Sequence, residues 1–133
     1  MRFAVTGGRH FHDRAMVIRV LCEMPEDAVM VNGMAPGADA LCAQVWRGWG
    51  RTVDPFPADW GGPCRDSCEP GHRKPRRGGG SYCPAAGHYR NQAMVDSGIE
   101  ELVALPGGNG TADMTARSVA AGVKVRQATQ VPG

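Results

Sequence analysis

The sequence predicts an α/β fold: a Rossmann-like open parallel sheet of about five strands, in the order 3-2-1-4-5, with helices on both faces. Three observations carry that prediction. Short apolar runs with β-branched residues end repeatedly at glycine, segments of helical periodicity lie between them, and the alternation continues along the chain. A chain of 133 residues with 42% apolar content has the size of one domain around one core, so 1–133 is read as a single unit.

The elements follow in order. "RFAVTG" (Arg2 to Gly7) and "AVMVNG" (Ala28 to Gly33) have the continuous apolar character of strands covered on both faces. Met16, Val17, Val20, Leu21 and Met24 recur at helical spacing between them, and Ala38, Leu41, Cys42, Val45 and Trp46 do so after the second strand. "RTVDPF" (Arg51 to Phe56) is a third strand. "RNQAMVDSG" then reads as a helix stopped by glycine, "ELVALP" (Glu101 to Pro106) as the fourth strand, "TADMTARSVAAG" as the fourth helix and "KVRQA" (Lys124 to Ala128) as the fifth strand. Met16, Met24 and Met94 are expected in the core, and Cys22 and Cys42 as buried small hydrophobes.

Residues 61–83, "GGPCRDSCEPGHRKPRRGGGSYC", break this pattern. They hold five of the fifteen Lys and Arg against two acids, crowd glycine and proline together, and show neither helical nor strand periodicity. They read as a basic insertion loop. Cys64, Cys68, His72 and Cys83, with His88 as a further candidate, supply thiol and imidazole groups within one short stretch that has almost no apolar residues. Two readings stand: a structural zinc site that orders the loop, for which the ligands are Cys64, Cys68, His72 and Cys83, or a loose loop with incidental thiols. No His-Glu pair at helical spacing suggests catalytic zinc.

The start of the chain has no apolar run of signal-peptide length, and no segment approaches the roughly 20 apolar residues that span a bilayer. A cytoplasmic protein without membrane contact is expected, and its odd number of cysteines does not suggest a disulfide framework.

Three glycine-rich turns fall at strand ends: "TGGRHF" (Thr6 to Phe11), "NGMAPGADA" (Asn32 to Ala40) and "PGGNGTAD" (Pro106 to Asp113). In an open α/β sheet, ligands bind outside the carboxyl ends of the strands near the point where the winding reverses. Each turn leads into a helix whose first amides lack partners and whose dipole favours an anion, so a phosphate-bearing nucleotide or sugar is the expected guest. The plain alternative is that the glycines only shape tight turns. "TGGRHF" lacks the third glycine of the dinucleotide fingerprint, and no Gly-Lys-Ser/Thr follows any turn, so no nicotinamide or flavin cofactor and no P-loop chemistry is expected.

"TGGRHF", "NGMAPGADALC", "FPADW", "RNQAMVD" and "PGGNGTADM", in that order, resemble the YspA-type branch of the SLOG superfamily. That superfamily includes the YpsA-related proteins, the Lonely Guy phosphoribohydrolases and DNA-processing protein A. The resemblance covers nearly the whole chain outside 61–83 and implies a SLOG-type nucleotide-binding domain, commonly a homodimer. "GHYRNQAM" is similar to the Lonely Guy segment whose arginine assists catalysis, which falls on Arg90, with Asn91 in place of its lysine. "PGGNGTADM" is similar to the Lonely Guy motif that ends in a catalytic glutamate, and here Met114 holds that place. A thioether cannot stabilise an oxocarbenium ion or activate water, so a hydrolase would need Asp113 as a displaced carboxylate.

The expected ligand-binding residues are Gly7, Gly8, Arg9, Gly33, Gly37, Asp39, Arg90, Asn91, Gly107, Gly108, Gly110 and Thr111, with Arg90 and Asp113 as the catalytic pair if the protein is an enzyme. Arg9 is a phosphate clamp or a solvated turn residue. Asp39 caps the second helix or touches a ribose or base, and Thr111 and Asn109 donate to phosphate or cap the fourth helix. Trp60 stacks on a base or covers apolar surface, and His10 and His12 are surface residues. Three functions follow: a module that binds a nucleotide or its derivative for sensing or processing; a phosphoribohydrolase that cleaves the N-glycosidic bond of a nucleoside monophosphate; or, less favoured, a single-strand DNA binder using Arg73, Lys74, Arg76 and Arg77.

Overall fold

The computed structural model describes residues 1–64, 71–76 and 78–128. Five strands form one parallel sheet: β1 (Arg2–Thr6), β2 (Val29–Asn32), β3 (Val53–Pro55), β6 (Glu101–Ala104) and β7 (Lys124–Gln127). Their order is β3-β2-β1-β6-β7, so the expected topology holds and the winding reverses between β1 and β6. Four helices cover it: α1 (Arg14–Leu21), α2 (Ala38–Gly48), α3 (Ala86–Asp96) and α4 (Asn109–Ala120).

Alternation along the strands sorts side chains to the two faces. Phe3 and Val5 pack with Val17, Leu21, Cys42 and Trp46 of α1 and α2. Ala4 points the other way, into a cluster with Val31, Leu102 and the helix residues Met94, Val95 and Met114. Met16, Met24 and Met94 are buried as expected, and so is Cys42. Cys22 is not: it is exposed, because α1 ends at Leu21 and Cys22 is its cap, off the face set by Met16, Val17, Val20 and Leu21. Asp13 starts that helix, its carboxylate accepting from the Met16 amide at 3.1 Å.

The insertion contains structure that its composition hid. β4 (Lys74–Pro75) and β5 (Ser81–Tyr82) form a small antiparallel hairpin. The chain reverses through Gly78, Gly79 and Gly80, all at positive φ, where no periodic pattern could announce it. Arg73 braces the hairpin by donating from Nε to the Ser81 hydroxyl at 2.9 Å and from Nη1 to the Gly62 carbonyl at 2.8 Å.

Candidate functional site

The three glycine turns meet at the carboxyl ends of β1, β2 and β6. The Gly8 amide donates to the Pro106 carbonyl at 2.8 Å, and the Ala38 amide donates to the Gly8 carbonyl at 3.0 Å, which stitches the first turn to the other two. Much of the glycine content serves this turn-on-turn packing. A methyl group at Gly7 would strike the Ala38 and Leu105 side chains, and one at Gly37 would strike the Arg9 and Gly8 backbones. Gly37 also holds φ at 85°, a conformation that L side chains rarely adopt.

Beside the stitched turns lies a cleft of about 770 Å³. The β1 turn contributes Gly7, Gly8, Arg9 and His10; the β2 turn and α2 contribute Ala35, Pro36 and Asp39; and Gly107, Gly108, Gly110 and Thr111 come from the β6 turn and α4. Gly87, His88, Arg90 and Asn91 of α3 form the opposite wall, with Trp60 and Pro84 at its edge. Of the expected binding residues, Gly33 and Gly37 are outside the lining and support it from behind. His10, expected as an ordinary surface residue, is exposed but belongs to the lining.

Helix α4 begins at Asn109, two residues earlier than its pattern suggested, because the glycine cluster runs straight into the helix. Its N-cap is Gly108, which has no side chain to offer, so neither Asn109 nor Thr111 caps it. The first-turn amides of a helix have no intrahelical acceptor. The Thr111 hydroxyl oxygen in that turn is buried and has no hydrogen-bond partner among the described residues. Arg9, His10 and His88 line the same cleft, so its basic groups and the helix start both favour an anion.

The lining also carries a carboxylate. Asp39 is 7% exposed, and among the described residues it is the one acid in the lining. It does not cap α2, whose N-cap Gly37 has no side-chain bond. Instead its Oδ2 reaches back to accept from the Ala35 amide at 3.3 Å, while Oδ1 is buried without a partner. Burial pushes its pKa up to about 6, against the Ala35 hydrogen bond and the nearby Arg90 guanidinium, which both pull it down. Burial also raises the thiol of Cys42, which Asp39 raises further.

Arg90 is held in place from both sides. Its Nη1 donates to the Gly33 carbonyl, and its Nε donates to Asn91 Oδ1 at 3.0 Å. Burial lowers its pKa, and Asp39 partly offsets that. A methyl at Gly33 would meet the Arg90 guanidinium and Asp39 Oδ2 within 3 Å, so the absent side chain is what lets the two charges approach there.

Asn91 in turn donates to Asp113 Oδ2 at 3.0 Å, and Arg117 Nε donates to the same oxygen at 2.9 Å. Partial burial raises the Asp113 carboxyl, but the Arg117 and Asn91 bonds and the neighbouring charges of His88 and Arg117 outweigh it and leave it below the usual range. Asp113 is not in the cleft lining, so the expected pair is not brought together at the ligand face. Asp113 is linked to Arg90 through Asn91. Met114 is fully buried in the core.

A second cluster sits in the insertion. The ligand atoms of Cys64, His72 and Cys83 lie within 4.8 Å of one another, and the group could hold a metal ion. Nε2 of His72 is 2.7 Å from Cys64 Sγ and 3.4 Å from Cys83 Sγ. Two thiols and one imidazole are a donor set suited to zinc. Cys68 lies outside the described residues, as does Arg77. His88 is not in this group.

The Cys83 amide donates to the Trp60 carbonyl at 3.0 Å, and the Trp60 ring meets Tyr82 edge-on at 6.0 Å. Trp60 is 39% exposed and stands at the junction between cleft and insertion.

Fold and site together define a Rossmann-like open-sheet α/β protein with a cleft at its topological switch point. No protein-family model and no curated protein matches the chain. No helix among the described residues is long and apolar enough to cross a membrane.

Proposed function

We propose that the cleft binds a nucleotide or nucleotide-derived ligand, and that the protein acts as a sensing or processing module for it. The observation that carries this reading is the shared cleft. The β1 turn, the start of α2 and the N-terminus of α4 all line it, and among the described residues its lining includes Thr111 and Asp39, each with a buried side-chain oxygen that has no hydrogen-bond partner. The helix start receives the phosphate, and Trp60 and Pro84 supply apolar surface for a base. The resemblance to the YspA-type branch of the SLOG superfamily supports the same reading.

The hydrolytic alternative has less support. The carboxylate it needs at Asp113 is held by Asn91 and Arg117 outside the cleft, and Met114 is in the core. A single-strand DNA surface loses Arg73 to the bracing of the hairpin. We further propose that Cys64, His72 and Cys83 hold a structural zinc ion, which would contribute folding free energy to a segment with little apolar surface of its own. Two subunits per particle are expected from the resemblance.

Native mass spectrometry of the purified protein tests these readings together. The expected result is a dimer that carries zinc and gains mass on addition of nucleoside monophosphates. A protein that binds none of the monophosphates overturns the ligand reading, and one without metal overturns the zinc reading.

A further inference from the structure

The Cys/His cluster and the cleft share a piece of wall. Cys64 follows Trp60 closely in the chain and Cys83 comes directly before Pro84, and both Trp60 and Pro84 line the cleft. Backbone bonds join the two segments. The Cys83 amide donates to the Trp60 carbonyl at 3.0 Å, and the Cys83 carbonyl accepts from the Ala86 amide at 3.1 Å, at the start of α3. The Trp60 ring touches the same neighbours: it meets Tyr82 edge-on, and a methyl group at Gly87 would come within 3.3 Å of its Cη2. The bare glycine lets the indole lie against α3 at the edge of the cleft.

Apolar packing does little to fix this edge. Among the described residues, neither hydrophobic cluster takes a member from 57–93, and Trp60 is 39% exposed. A metal held by Cys64, His72 and Cys83 would join three separated points of the chain and close the segment after Trp60 onto the segment that leads into α3. Resting on the zinc reading above, we infer that zinc at Cys64, His72 and Cys83 is an effector of the cleft: it locks Trp60 against α3 and completes the edge on which the apolar part of a ligand rests. Without the metal, Trp60 can leave Gly87 and the edge opens. The linkage runs both ways, because a ligand that rests on the locked indole binds the zinc form more tightly and in turn tightens zinc.

NMR relaxation of the Trp60 indole N–H, identified by its loss in Trp60→Phe, tests this on protein stripped by a chelator and on the same protein reloaded with zinc. Both core clusters lie outside 57–93, so the stripped chain is expected to keep its sheet. The order parameter should be about 0.85 with zinc and below about 0.6 without it. In Cys83→Ala added zinc should leave it low, and Cys64→Ala repeats the test if that variant does not fold. Calorimetry with the four ribonucleoside 5′-monophosphates reads the linkage: reloaded protein should bind at least one of them about fivefold or more tightly than stripped protein.

Bound zinc with Trp60 equally ordered in both forms, or equal nucleotide affinity in both, overturns the effector role and leaves the metal site and the nucleotide reading in place. A chain that takes up no zinc overturns the metal reading and this inference with it. If neither form binds a monophosphate, the nucleotide reading falls by itself, while zinc-dependent ordering of Trp60 still supports the lock and its absence overturns it.

Discussion

Replacing Asp39 by asparagine should make the protein more stable at neutral pH and change little in acid. Burial holds the carboxyl at about 6 in the folded chain, well above the ordinary carboxylate value it has when unfolded. It is therefore harder to ionise folded than unfolded. Below the unfolded value both states hold the proton and no penalty arises. As pH rises from there to about 6, the unfolded chain releases its proton first, so stability falls. Well above 6 the loss is complete, at roughly 3 kcal/mol.

Asparagine cannot ionise, so Asp39→Asn should gain on the wild type by about 2 kcal/mol between about pH 4.5 and 7.5. Urea unfolding followed by tryptophan fluorescence at both pH values measures it, and the gain corresponds to a midpoint shift of about 1 M. Titrations elsewhere cancel in the comparison of the two proteins. A stability difference that does not change with pH, or one that grows in acid, refutes the reasoning.

The other predictions concern the frame around the cleft. Gly37→Ala should destabilise the protein by more than about 2 kcal/mol in urea unfolding, since it combines a positive φ with a clash against the Arg9 and Gly8 backbones. Met114→Ala should cost about 2 to 5 kcal/mol by opening a cavity beneath α4, measured in the same way. Zinc content by elemental analysis should fall to background in Cys64→Ala and Cys83→Ala but not in Cys22→Ala, whose thiol is exposed on the far end of α1.

The sheet order was legible because Phe3, Ala4 and Val5 alternate between two cores, and because each apolar run ends at a glycine turn. The convergence of the turns followed from that topology, and much of the glycines' close packing is turn against turn. Three features were hidden for physical reasons. Asp39 and Arg90 are far apart in sequence and both border the space that a Gly33 side chain would fill, so no local pattern announces their proximity. The bond from Asn91 to Asp113 depends on how α3 packs against α4; with the Arg117 bond from one turn along α4 itself, it ties this carboxylate to the scaffold. The hairpin in the insertion is two residues on each side, too short for any period to show. Cys22 was misplaced because helical spacing was extended past the end of α1.

The central claim is that the switch-point cleft receives a phosphate-bearing nucleotide at the start of α4. Backbone amide NMR during titration with ribonucleoside monophosphates tests it most directly, because each amide reports its own surroundings. The account predicts that the largest shifts cluster at Gly8, Arg9, Gly107 to Thr111, Asp39 and Arg90. Shifts confined to the hairpin of the insertion, or a spectrum unmoved by all four nucleotides, would contradict it.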